Sequence, residues 1–303
     1  MARAGKGATA LKPPRRSVDA EFERYKQDLS QYAVSIATQP GFVHSEAFRE
    51  VAESVHHGLC ALGHDSVLSE RTDLPGRRHI VFGSNLISAK DQQLPKGSIL
   101  YNLEQIYDDS PWLTKDLLAL FRRHTVWDYS LANIEALGRY GIAARHVPIG
   151  YVPELTRIPA APYRDIDVLF VGSIVERRLA VLQALHERGA NVIPAFGVYG
   201  AERDELIARA KIVLNVHMYE AKVFEVVRVS YLLANRCFVV SERGLDLAGE
   251  RPYEEGIAFV EYHELVNACL HYLADERGRD RTARRGFELF TERRVPDLLR
   301  AVL

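Results

Sequence analysis

Cysteine is scarce. The 303 residues hold three, Cys60, Cys237 and Cys269, far apart and without C-x-x-C spacing. That pattern argues against a disulfide framework and a structural zinc site, and suits a reducing compartment, so a cytoplasmic location is expected. Net charge is nearly absent: 39 Lys and Arg against 40 Asp and Glu leave -1 with His neutral. No global field draws nucleic acid or an anionic membrane, and a nucleic-acid partner is not expected. No apolar run approaches the roughly 20 residues that span a bilayer, so no transmembrane segment is expected. The N-terminal stretch MARAGKGATALKPPRRSVD is basic but lacks the apolar core of a secretory signal. Residues 1–25 read as a flexible tail. The G-x-G-x-x-G signature is missing, which counts against nicotinamide and flavin cofactors.

What is present is a regular alternation. The chain is 47% hydrophobic and 26% charged, enough to fill two cores. YAVSIAT, HIVFGS, SILYNLE and TVWDYS are short apolar, β-branched or aromatic runs, as strands buried on both faces require. A helix is expected from Ser45 to about Leu62, with Ser45 as N-cap and Gly63 as stop. After the proline-rich VPELTRIPAAPYRD the rhythm restarts with DVLFVGS, NVIPAFG, KIVLNVH, RCFVVSE and GIAFVEY, interleaved with helical stretches. Repeated β-α-β units predict parallel sheets with helices on both faces. The expected class is therefore α/β, with two Rossmann-like domains facing each other across a cleft.

Open parallel sheets bind ligands beyond the C-terminal ends of their strands. That rule selects His44, Gly83 to Asn85, Glu104 and Asp128 to Ser130 in the first half. In the second it selects Gly172, Ser173, Gly197, Asn215, His217, Ser241 and Glu242. VGSIVERR is a glycine turn feeding a helix, with Arg177 and Arg178 in the first turn. Helix N-termini and guanidinium groups both favour phosphate, although pairing with Glu176 or simple solvation would also explain the arginines. A second helix is expected over Ala221–Ala234, with Lys222, Glu225 and Arg228 in one stripe. Glu225 can accept hydrogen bonds from two ribose hydroxyls; Arg228 can instead serve as its ion-pair partner. His217, Tyr219 and Glu220 lie in the preceding loop and are donor-binding candidates, His217 serving either as a sugar or pyrophosphate contact or as a cap.

The DVLFVGS…RR turn, the KIVLNVH strand, FEVVRVSYLLANRCFVVSE and EEGIAFVEYHELVNACLHYL together resemble the C-terminal half of GT-B glycosyltransferases. GFVHSEAFREVAESVHHGLCALGHD is similar to the glycine loop and first helix of that fold. More narrowly, the chain resembles bacterial spore-maturation-type glycosyltransferase-like proteins grouped with family 1 enzymes, over about residues 30 to 300. The resemblance implies an acceptor domain over 26–155, a nucleotide-sugar domain over 156–290 and a last helix, 291–303, that crosses back in many relatives. It implies transfer of a hexosyl or related sugar from a nucleotide-diphosphate donor, UDP by default, to an unidentified acceptor: a glycan, a protein, a lipid-linked precursor or a small molecule. No cofactor and no metal would be needed, and no D-x-D element followed by a metal shell stands out.

Glu225 maps onto the family's ribose-binding carboxylate, Gly172 and Ser173 onto its phosphate loop, and Arg177 or Arg178 onto a diphosphate contact. Glu220 and Glu242 compete for a second acidic position near the sugar. His44 is the first choice of catalytic base and Glu104 the second. The alternatives are a catalytically silent nucleotide-sugar-binding or interaction protein, and a non-hydrolysing nucleotide-sugar epimerase.

Overall fold

The computed structural model describes residues 31–39, 41–87, 94–108, 110–219 and 222–303. Each half of the chain builds one sheet, and every strand pairing in both sheets is parallel. The first contains β1 (Gln31–Ile36), β2 (Asp65–Ser69), β3 (Arg78–Phe82), β4 (Ile99–Asn102), β5 (Thr125–Asp128) and β6 (Ala144–His146), in the order β2-β1-β3-β4-β5-β6. The second contains β7 (Ile166–Val171), β8 (Val192–Ala195), β9 (Ala210–Asn215), β10 (Val239–Glu242) and β11 (Ala258–Val260), in the order β11-β10-β9-β7-β8. Both orders reverse direction once, between β1 and β3 and between β7 and β9. Strands on either side of such a reversal send their following loops apart and leave a crevice at their C-terminal ends.

The inner strands carry continuous apolar runs because helices cover both faces. Val34, Ile80 and Leu100 in the first sheet, and Leu169, Val213 and Val240 in the second, are fully buried. Strand β2 was not evident from the sequence. DSVLS is short and polar, and it forms an edge paired only with β1 and half exposed, so it needs no apolar run. The helices are α1 (Arg49–Ala61), α2 (Lys115–Phe121), α3 (Leu131–Arg139), α4 (Glu176–Glu187), α5 (Gly200–Arg209), α6 (Val226–Ala234), α7 (Leu247–Glu250), α8 (Leu265–Ala274), α9 (Glu276–Thr291) and α10 (Val295–Arg300). Among the described residues no helix is long and apolar enough to cross a membrane.

Two helix starts differ from expectation. The expected Ser45–Leu62 helix opens as a 3-10 turn over Val43–Phe48, and only then becomes α1. Ser45 does not cap it: its hydroxyl donates back to the Phe42 carbonyl at 3.2 Å. The expected Ala221–Ala234 helix begins only at Val226, with Glu225 as N-cap residue. Lys222 takes left-handed backbone, φ 43, and so lies off the helical stripe.

The end of the chain returns to the first sheet. The Tyr151 main chain bonds to the 293–295 segment on both sides: Tyr151 N–H donates to Arg293 O at 2.7 Å and Val295 N–H donates to Tyr151 O at 3.1 Å. Helix α10 then lies on α1, where a Cβ on Gly58 would fall 2.5 Å from Val295 Cγ1. At Gly150 a Cβ would fall 2.5 Å from the Arg293 carbonyl oxygen, an atom of the main chain that cannot rotate away. Gly150→Ala is therefore expected to cost about 1–3 kcal/mol of stability by overpacking. Urea unfolding checks this, and an unchanged midpoint would mean that the returning segment is held loosely.

Candidate functional site

A cavity of about 410 Å³ opens between the two sheets at the C-terminal ends of β1, β3 and β4 on one side and β7, β8 and β9 on the other. Its second-lobe wall is organised by one arginine. Arg178, in the first turn of α4, is 1% exposed. Its Nε donates to the Val216 carbonyl at 2.9 Å, Nη1 to the Ser173 carbonyl at 2.9 Å and Nη2 to Glu225 Oε1 at 3.1 Å. Three segments thus meet on one guanidinium: the turn after β7, the loop after β9 and the start of α6. Burial pulls the Arg178 pKa down to about 10, against the opposing pull of Glu225, so the group stays charged at neutral pH.

Glu225 is 8% exposed, and its Oε2 has no hydrogen-bond partner. Arg228 Nη2 stands 3.6 Å from that oxygen, a loose ion pair rather than a hydrogen bond. Arg228 Nη1 donates to Asn215 Oδ1 at 3.3 Å, and Asn215 is steadied by its own donation to Ser241 at 3.0 Å. Its guanidinium lies over Gly172, where a Cβ would sit 3.6 Å from Arg228 Cζ. Gly172 has φ 145, a conformation that favours glycine, so the turn can bring its main chain under the arginine.

The first-lobe wall centres on Glu104. The loop after β4 is held by two asparagine amides, Asn102 Nδ2 and Asn133 Nδ2, each donating to the Glu104 carbonyl at 2.9 Å. The same amides donate to the buried Asp128 carboxylate at 2.7 and 3.0 Å. Burial pushes the Glu104 carboxyl up to about 7, with a 3.3 Å hydrogen bond from Asn85 acting in the opposite sense. His44 faces the second lobe: its Nδ1 is 2.9 Å from the Tyr199 hydroxyl, and its ring stacks at 5.0 Å on Phe196. Deeper in the cleft, Glu50 of α1 accepts from Arg203 of α5 at 2.8 Å, an ion pair buried on both sides.

No protein-family model matches the chain. It is similar to the uncharacterized protein L140 of Acanthamoeba polyphaga mimivirus, 25% identical over 238 residues, covering 76% of this chain and 75% of that protein. Among solved structures it is similar to AviGT4, a glycosyltransferase involved in avilamycin A biosynthesis, with TM-score 0.54 and 17% identity over 89% of this chain and 96% of that one. It is similar to Anabaena HepE, solved in complex with UDP and glucose, with TM-score 0.57 and 11% identity over 90% and 98% of the two chains. TarM matches 75% of this chain at TM-score 0.52 and 11% identity, and this chain spans about half, 54%, of TarM. The fold is that of the GT-B glycosyltransferases.

Within this GT-B cleft the residues expected from sequence separate into two groups. His44, Glu104, Gly172, Ser173, Arg178, Tyr219, Glu225 and Arg228 all line the cavity. Arg177 and His217 do not. Arg177 donates to both oxygens of Glu242, at 2.7 and 2.6 Å, and to the His217 carbonyl at 2.5 Å, and it stacks on Tyr262. Glu242 also accepts from the His217 N–H at 3.0 Å and pairs with Lys222 at 3.0 Å. Burial acts to raise its pKa, but the hydrogen bonds from Arg177 and Lys222 outweigh it and hold the carboxyl below its usual range. That carboxylate is committed within the protein. His217 is fully buried, and burial lowers its pKa, so the ring is neutral at pH 7. Asn215 acts on the site through Arg228, and Glu220 lies outside the described residues.

Gln105, Trp112, Tyr199 and Arg203 line the cavity and were not singled out from the sequence. Gln105 follows Glu104 directly, so the strand-end rule could have found it; Arg203 lies within a helix and gives no such signal. Among the described residues no group of three or more His, Cys, Asp or Glu side chains is placed to hold a metal ion.

Proposed function

We propose that the protein is a glycosyltransferase that moves a sugar from a nucleotide-diphosphate donor, with uridine as the default base, to an acceptor held against the first lobe. One observation carries the reading. Glu225, whose buried Oε2 lacks a hydrogen-bond partner, lines the same cavity as the Gly172–Ser173 turn and the Arg178 and Arg228 guanidinium groups. A carboxylate with a free oxygen suits ribose hydroxyls, while guanidinium groups beside a helix N-terminus suit a diphosphate. As the diphosphate departs, charge grows on its oxygens, and these two cations offset that charge without a bound metal. The resemblance of the fold to structures that hold UDP and glucose supports the same donor class.

Glu104 is the proposed base and His44 a cleft-closing contact. The acceptor hydroxyl gives its proton to Glu104 while its oxygen bonds to the anomeric carbon. The bond from that carbon to the diphosphate breaks, and the electron pair leaves on the phosphate oxygen. A carboxyl raised to about 7 is more basic than an ordinary carboxylate and is about half ionised at neutral pH. The three cysteines, none in a disulfide, support a reducing, cytoplasmic setting.

Calorimetry with UDP tests the donor site directly. Binding is expected, and Glu225→Gln should weaken it by about tenfold through loss of a charged acceptor. No binding of any nucleoside diphosphate would remove the proposal. Incubation with a panel of nucleotide sugars separates the remaining cases. Release of UDP onto an acceptor indicates transfer, an isomerised donor indicates an epimerase, and binding without turnover indicates a silent binding protein.

A further inference from the structure

Among the described residues six buried side-chain atoms lack a hydrogen-bond partner. The two that belong to cavity-lining residues, Gln105 Oε1 and Glu225 Oε2, are both acceptors and come from opposite lobes. An acceptor buried without a partner costs about 1–3 kcal/mol, so the cavity is complementary to a ligand that brings donors to both walls. In the donor reading above the ribose hydroxyls engage Glu225, which leaves Gln105 Oε1 as an acceptor for a hydroxyl of the attached sugar.

The orientation of the Gln105 carboxamide is fixed by its partner. Nε2 donates to the Val223 carbonyl at 3.1 Å, so Oε1 must be the free end. The residue is 7% exposed, and the next backbone N–H, of Ile106, is bound to Asn133 at 2.9 Å, so the side chain projects from an anchored loop. Val223 lies two positions before Glu225, in the loop that leads into α6. Gln105 therefore reaches across from the first lobe to the segment carrying the ribose carboxylate. Trp112 and Tyr219, joined by a 3.4 Å contact from Nε1 to the hydroxyl, line the same cavity.

We propose that Gln105 is a sugar-specificity residue, accepting a hydroxyl of the transferred hexose through Oε1. This rests on the donor reading above and extends it to the sugar itself.

Calorimetry on the full chain tests it with UDP and a panel of UDP-hexoses, from which the hexose that binds more tightly than UDP is chosen. Gln105→Met, nearly the same shape without the amide, should weaken that UDP-hexose by about five- to tenfold and leave UDP unchanged. Donors lacking one hexose hydroxyl locate the contact: one deoxy sugar should lose affinity for the wild-type protein but none for the variant. Gln105→Asn, which withdraws the oxygen by one methylene, carries the same comparison if the methionine variant does not fold. Equal weakening of UDP and UDP-hexose would reduce Gln105 to a tie between lobes and overturn the inference, as would an unchanged UDP-hexose affinity. A wild-type protein that binds no UDP at all sinks the donor reading, a result distinguishable from either.

Discussion

Arg178→Ala is expected to lower the unfolding free energy by about 3–5 kcal/mol and to abolish UDP binding, because it leaves a buried carboxylate without its closest partner. The substitution removes donors from the Val216 and Ser173 carbonyls as well as from Glu225, and it empties the space over Phe170, where the guanidinium sits 5.2 Å from the ring. The three segments that Arg178 joins are those that form the proposed phosphate and ribose contacts, so stability and binding should fall together. Arg178→Lys keeps the charge but cannot reach three acceptors from one nitrogen with the same geometry, and should recover part of the stability without the binding. Arg177→Ala is the control. Glu242 would keep Lys222 and the His217 N–H, so the loss should be smaller and UDP affinity close to normal. Urea unfolding and UDP calorimetry on the three variants decide the matter. An Arg178→Ala protein within 1 kcal/mol of wild type would mean that the charge cluster is stabilised from elsewhere.

The same neighbourhood marks how far the sequence could be read. Inner strands such as β4 and β7 announce themselves because burial on both faces demands uninterrupted apolar residues, and their ends then point to Glu104, Gly172 and Ser173. The choice between Arg177 and Arg178 was not legible. Adjacent helical residues project about 100° apart, and only packing against Phe170 and Val216 shows that Arg178 turns inward. The start of α6 was hidden for a related reason. Lys222 to Glu225 looks helical in composition, but Lys222 is held in left-handed backbone and its ammonium is drawn to Glu242, on a different strand. Contacts between lobes leave no local signal at all: Glu50 and Arg203 are 153 positions apart, and neither stands out in its own helix. Gln105 falls between these cases, since its position was accessible from the strand-end rule but its orphaned oxygen was not.

Glu104→Gln is expected to reduce turnover by about 10²- to 10⁴-fold, the range for removing a general base, while leaving UDP affinity nearly unchanged. The pH profile gives the sharper test. A base must be ionised, and burial holds the Glu104 carboxyl near 7, so the wild-type rate should rise with pH through about 7 and level off above it. In the glutamine variant that limb disappears, because the group that titrates is gone. Asn85→Ala removes the hydrogen bond that opposes burial and should move the limb to higher pH. His44→Ala should behave differently. It breaks the link to Tyr199 and loosens closure of the cleft, so substrate affinity falls while the limb stays where it was. A limb that vanishes with His44→Ala and survives Glu104→Gln would exchange the two roles. The imidazole would then be the base, and the raised carboxyl a consequence of burial without a catalytic task.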